Sequence, residues 1–115
     1  MNMINFGSLN IDKVYNLPHF VSPGETVHSQ SYQEYAGGKG LNQSVAASRA
    51  GLTVIHAGAV GSDGIFLCGT LKEAGVDTAG IQILGETSGH AVIQVNSQGQ
   101  NCICLLYTSP SPRDT

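Results

Sequence analysis

The chain has 115 residues, net charge -3, 41% apolar and only 11% charged side chains, with 15 glycines. That length suits one domain of modest core, and a charge content well under the usual ~25% leaves Ser, Thr, Asn and Gln to supply the polar surface. There is no basic run to hold nucleic acid, no apolar stretch approaching the ~18 residues of a membrane span, and no basic n-region followed by a long apolar run at the N-terminus.

In chain order, Ile4–Leu9 reads as a short strand closed by small residues, and Lys13–Asn16 as a second extended stretch ended by Leu17-Pro18. Ser22-Pro23-Gly24-Glu25 is a turn, and Thr26–Tyr35 alternates in the manner of strands with one wet face. Gly37-Gly38-Lys39-Gly40 breaks that alternation and opens a helix over 41–50, with Leu41, Val45 and Ala46 on one face and Gly51 at its C-terminal cap. Thr53–Val60 is a β-branched apolar run expected as a buried parallel strand. Gly61-Ser62-Asp63-Gly64 leads into a second helix, capped by Ser62 or Asp63, striped by Leu67, Leu71 and Ala74 and ended by Gly75. Ile81–Leu84, Ala91–Val95 and Asn101–Leu105 are further strands, the last two joined by a hairpin turn at Asn96-Ser97-Gln98-Gly99. Residues 107–115, with two prolines and no apolar period, are expected to be unstructured. The order strand, excursion, helix, strand, helix predicts a layered α/β fold with a mainly parallel sheet.

Two segments could carry chemistry. The first is Ala36-Gly37-Gly38-Lys39-Gly40-Leu41-Asn42, a glycine-rich loop at a helix N-terminus. Such a loop offers backbone N–H groups and a positive dipole end to an oxygen-rich ligand, Lys39 adds charge, and Asn42 supplies a donor and an acceptor for a hydroxyl. On their own the glycines equally describe a tight turn. The loop is not a P-loop, because Gly40 follows Lys39 where Ser or Thr belongs, and it is not a dinucleotide fingerprint, because the third glycine is missing. The second segment is Gly7-Ser8-Leu9-Asn10-Ile11-Asp12, where Asn10 and Asp12 follow the first strand at the edge at which open α/β sheets bind ligands. An amide and a carboxylate two apart can grip vicinal hydroxyls, although a solvated turn reads the same way in isolation. Cys68, Cys102 and Cys104 are read as reduced, small apolar side chains of a cytoplasmic protein; Cys102, Cys104 and His90 fall short of a metal-ligand set.

Both segments recur in order with Pro23-Gly24-Glu25-Thr26-Val27, Gln43-Ser44-Val45-Ala46-Ala47, Gly51, Gly58, Val60-Gly61-Ser62-Asp63 and Gly75-Val76-Asp77-Thr78. Jointly these resemble the ribokinase-like (PfkB) carbohydrate kinases over roughly residues 3 to 105. The resemblance implies a Rossmann-like three-layer α/β sandwich with a small β-sheet lid. The lid would be built here from Asp12–Asn16, Thr26–Tyr35 and the strands after Thr87, within a unit spanning residues 1–106. It implies transfer of the ATP γ-phosphate to a sugar hydroxymethyl group, the 5-hydroxyl of ribose in one branch, with another sugar or a nucleoside as the acceptor, or a non-catalytic sugar-binding fragment, as alternatives. ATP, Mg2+ and activating K+ are the implied cofactors, a small sugar the implied ligand, and a homodimer joined through the lids the implied assembly. By residue match, Asn10, Asp12, Gly38, Lys39, Gly40 and Asn42 would line the sugar pocket. The family's catalytic Asp, in a Gly-Ala-Gly-Asp segment, has no counterpart here, so this chain is expected to be catalytically inactive alone and to bind the sugar weakly. The residues after Leu105 depart from the family pattern and are expected to be a foreign tail.

Overall fold

The computed structural model describes residues 2–108, apart from the side chain of Leu105. Its elements form two sheets and two helices. The first sheet is parallel, in the order β1 (Asn2–Asn5), β4 (Thr53–Val60), β5 (Asp77–Ile83). The second has the order β3 (Ser31–Gly37), β2 (Asn10–Asn16), β6 (Gly89–Val95), β7 (Asn101–Tyr107). In this second sheet β2 runs parallel to β6 and antiparallel to β3, and β6 and β7 form a hairpin. Two helices, α1 (Lys39–Arg49) and α2 (Ile65–Glu73), connect the parallel strands.

The helices share one core with the parallel sheet. Leu41 of α1 and Leu67 and Leu71 of α2 pack with Val54 and Val60 of β4, with Val76, with Leu9 just before β2 and with Ile11 of β2. Ser48 Oγ donates to the Ala74 carbonyl at 2.6 Å, fastening the end of α1 to the end of α2. The opposite face of β1 carries Ile4, 60% exposed, and none of the described helices covers it. On α1 the inward positions are Leu41, Ser44 and Val45, whereas Ala46 is exposed. A small Ser and a Gly face the sheet because the helix lies close to it. Gly51 and Gly75 follow the two helices with φ of 99° and 90°, the left-handed conformation that ends a helix and that glycine adopts without strain.

Several element limits differ from the sequence reading, each for a local reason. β1 stops at Asn5, because the Gly7 peptide is held by side chains instead of a strand ladder. Thr26–Gln30 is not a strand: β2 ends at Asn16 before Leu17-Pro18, and β3 pairs with it only from Ser31 onward. Neither Ser62 nor Asp63 caps α2. A 3-10 turn, Ser62–Gly64, intervenes, Gly64 occupies the cap position without a side-chain bond, and the Asp63 carboxylate accepts from Ser88 N–H at 2.8 Å. Tyr107 belongs to β7, paired with His90 and stacked on its ring, and not to an unstructured tail; residues 109–115 lie outside the described residues. In β7 the pairing passes from Val92–Leu105 to Ile93–Ile103, so a bulge falls at Cys104. The three cysteines are free thiols. Cys68 is half-buried beside the core, and burial raises its thiol pKa.

Candidate functional site

The two candidate segments meet where the parallel sheet gives way to the second sheet. Asn10 and Asp12 lie in the first three residues of β2, not in a turn, and alternate residues of a strand share a face. Asn10 pairs with Gly37 and Asp12 with Tyr35, so the glycine loop begins as β3 ends, directly beside them. A β-carbon on Gly37 would lie 2.6 Å from Asp12 Oδ2. The bare glycine is therefore what leaves room for that carboxylate. Gly38 has φ +99°, a conformation that disfavours any side chain, and a β-carbon there would lie 2.7 Å from the Ser8 carbonyl oxygen.

From this loop α1 rises with Gly38 at its N-cap. Leu41 N–H donates to the Ser8 carbonyl at 3.0 Å and Asn42 N–H to the Gly38 carbonyl at 3.1 Å, so two amides of the first turn are already engaged. Lys39 and Asn42 are exposed on that turn. Gly40 is buried, its Cα in contact with Gly7; a β-carbon on Gly40 would lie 2.1 Å from the Gly7 carbonyl carbon. Gly40 thus packs against Gly7, while Lys39 and Asn42 face solvent on the same turn.

Desolvation raises the pKa of the Asp12 carboxyl above the ordinary carboxylate value. Among the described residues no cation pairs with it. A partly desolvated carboxylate without a cationic partner among the described residues can accept hydrogen bonds from ligand hydroxyls. Among the described residues no group of three or more His, Cys, Asp or Glu side chains is gathered to hold a metal ion, and the only ion pair, His19–Glu25, is exposed and does not involve Asp12.

Beneath the loop lies a buried polar group that sequence reasoning missed. Asn5 of β1, Ser44 of α1 and His56 of β4 are 7%, 0% and 0% exposed. Asn5 Nδ2 donates to the Gly40 carbonyl and to Ser44 Oγ, both at 2.9 Å, and Asn5 Oδ1 accepts from Gly7 N–H at 2.8 Å. His56 reaches Ser44 Oγ through Nδ1 at 2.7 Å and the Gly7 carbonyl through Nε2 at 3.0 Å. Desolvation lowers the His56 pKa, with the Gly7 carbonyl opposing in part. The available signal was polar residues at inward positions: Asn5 within a strand, His56 inside the apolar run 53–60, and Ser44 beside Leu41 and Val45.

The glycine loop and the α1 N-terminus thus lie beside the Asn10/Asp12 pair at the start of β2. The chain matches the pfkB family of carbohydrate kinases over residues 2–110, and it belongs to that family. It is 44% identical over 104 residues to a ribokinase of Haemophilus influenzae, covering 86% of this chain and 33% of that protein. Its fold superposes on the ribokinase of Cryptococcus neoformans in complex with ADP with TM-score 0.84 and 44% identity, over 92% of this chain and 34% of that one. The ribokinase of Arabidopsis thaliana complexed with ribose and ATP gives TM-score 0.77 at 29% identity, over 90% and 34%. The chain therefore spans about a third of the length of the relatives it matches. The α/β fold, with a parallel sheet and a second, mixed sheet, is that of the corresponding part of these kinases. No described helix is long and apolar enough to cross a membrane.

Proposed function

We propose that this chain forms the sugar-binding part of an ATP-dependent kinase that phosphorylates ribose at its 5-hydroxyl. Asn10 and Asp12 bind sugar hydroxyls, Gly38 lets the loop backbone approach the sugar, Gly40 lets the loop pack on Gly7 beneath it, and Lys39 and Asn42 line the same pocket. The observation that carries this reading is the Asp12 carboxylate seated over Gly37 with Asn10 and the α1 N-terminus beside it. The ribose- and ATP-bound relative of the same fold supports the choice of sugar and nucleotide. ATP, Mg2+ and K+ would serve the complete enzyme, with the catalytic carboxylate outside this chain; none of the described side chains is assembled as a metal site.

The lid reading extends to assembly. The sheet face that carries Asp12 also carries Val14, Ile93, Ile103 and Leu106, because directly paired residues point the same way. Ile103 and Leu106 are 64% and 65% exposed, an apolar face suited to pairing with the lid of a second copy.

The experiment is a graft. This chain replaces the matched third of the Haemophilus influenzae ribokinase, and ADP release is followed with ribose, 2-deoxyribose, fructose and adenosine. Ribose is expected to be the preferred acceptor, and the Asp12→Ala graft to lose activity. Preference for another acceptor by an otherwise active graft would sink the ribose assignment, and full activity of Asp12→Ala would sink the site. The ungrafted chain with ATP and ribose is expected to release no ADP.

A further inference from the structure

The buried group beneath the loop is a closed circuit. It starts at the Gly7 N–H, passes through Asn5, Ser44 and His56, and returns to the Gly7 carbonyl. Its proton assignment is forced by chemistry. A carbonyl only accepts, so His56 Nε2 carries the ring proton toward Gly7; Nδ1 then accepts from the Ser44 hydroxyl, and the Ser44 oxygen accepts from the Asn5 amide. Every donor and acceptor finds a match when the imidazole is neutral, and none of the described buried polar side chains is left unpaired.

What the circuit holds is more informative than the circuit itself. It grips both backbone polar groups of Gly7, in the two successive peptide units, and, through the second Asn5 amide proton, the Gly40 carbonyl. Gly7 and Gly40 form one of the close contacts between the candidate sugar segments, the one below the β2–β3 pairing of Asn10 with Gly37. Asn10 and Asp12 follow Gly7 by three and five residues, and Gly38, Lys39 and Asn42 lie within two residues of Gly40. None of the three circuit side chains reaches the upper side of the loop, since all are buried.

We infer that Asn5, Ser44 and His56 are positioning residues that fix the spacing between the Asn10/Asp12 strand and the Gly38–Asn42 loop, and so set the width of the site. That this width is matched to a sugar rests on the functional reading above; that the circuit sets it does not. The β2–β3 ladder and the Leu41–Ser8 bond already join the two segments, and the circuit adds a tie at Gly7 and Gly40; misplacement of about 1 Å in a site can lower rates about a hundredfold.

The test uses the full chain and two readouts. Amide hydrogen exchange is measured on the wild type and on His56→Phe, which keeps an aromatic ring but leaves the Ser44 hydroxyl and the Gly7 carbonyl without their partner. Protection is expected to fall at the Gly7 and Leu41 amides while the β4 amides keep theirs. Wild-type protection at Gly7 and Leu41 in this variant would overturn the inference. Should His56→Phe lose protection throughout, Ser44→Ala decides on the same two amides, with unchanged protection again overturning it. Nitrogen NMR of the wild-type ring is expected to show the neutral Nε2–H tautomer, and the Nδ1–H tautomer would contradict the circuit.

Ribose is then titrated while the Asn10, Gly38 and Asn42 amides are observed. Weakening by about tenfold in the folded variants is expected, with partial recovery in His56→Gln, whose amide can still donate to the Gly7 carbonyl. Unchanged affinity would overturn the positioning role. Absence of ribose shifts in the wild type would instead defeat the sugar reading, and the exchange result would still decide whether the circuit sets the loop.

Discussion

Replacing Gly40 by Ala and, in parallel, Gly69 by Ala separates close backbone packing from helix propensity. Both glycines lie in helices, α1 and α2, where Ala is intrinsically better by about 1 kcal/mol. At Gly69 an added β-carbon meets nothing within 4 Å, so stabilisation of about 0.5–1 kcal/mol is expected. At Gly40 the same carbon would lie 2.1 Å from the Gly7 carbonyl carbon and 2.4 Å from Ser8 N, both backbone atoms that no rotamer change can move aside. The loop must lift by about 1 Å to restore ordinary contact, which strains or breaks the Leu41–Ser8 and Asn5–Gly40 bonds. Overpacking of about 1–3 kcal/mol, with the loss of bonds worth about 1 kcal/mol each, outweighs the gain in propensity. Net destabilisation of about 1–4 kcal/mol is therefore expected. Urea unfolding followed by circular dichroism reads both variants. Gly40→Ala as stable as Gly69→Ala would refute the packing at the base of the site.

Asp12→Asn should abolish ribose binding while leaving stability unchanged or slightly higher, because burial disfavours the charged form of the Asp12 carboxyl and the amide carries no charge; calorimetry with ribose and urea midpoints check the two halves. Ser88→Ala should cost about 1–3 kcal/mol, since the fully buried Ser88 Oγ accepts from Gly61 N–H at 2.9 Å and that amide would lose its partner; thermal unfolding reads it. Stability should also fall on acidification. The native His56 pKa lies below 6.5, so below that pH the unfolded chain binds a proton that the folded chain resists. The His56 contribution is whole above about pH 6.5, shrinks as pH drops toward the depressed native value, and levels off beneath it. Urea midpoints across that window should show this slope in the wild type and lose it in His56→Phe.

Much of the architecture was readable because the signals were local. Thr53–Val60 carries an unbroken apolar run that coincides with β4, and Gly51 and Gly75 mark helix ends that need a left-handed residue. The Gly-Gly-Lys-Gly loop and the Asn10/Asp12 pair were legible as motifs, and the structure brings them side by side. What was not legible depends on contacts between distant segments. Asp63 suits a helix cap by local pattern, yet its carboxylate is taken by Ser88, 25 residues away. The polar circuit joins three elements whose residues are at most single exceptions within otherwise apolar patterns. Gly40 reads as a loop glycine, and only the packed structure shows that it is the contact point with Gly7.

The most direct measurement of the central claim is a crystal structure of the grafted kinase with ribose. The account predicts ribose hydroxyls within hydrogen-bond distance of Asp12 and Asn10, with the sugar resting against Gly38 and Asn42. Ribose bound elsewhere, with the Asp12 carboxylate left in solvent, would contradict it.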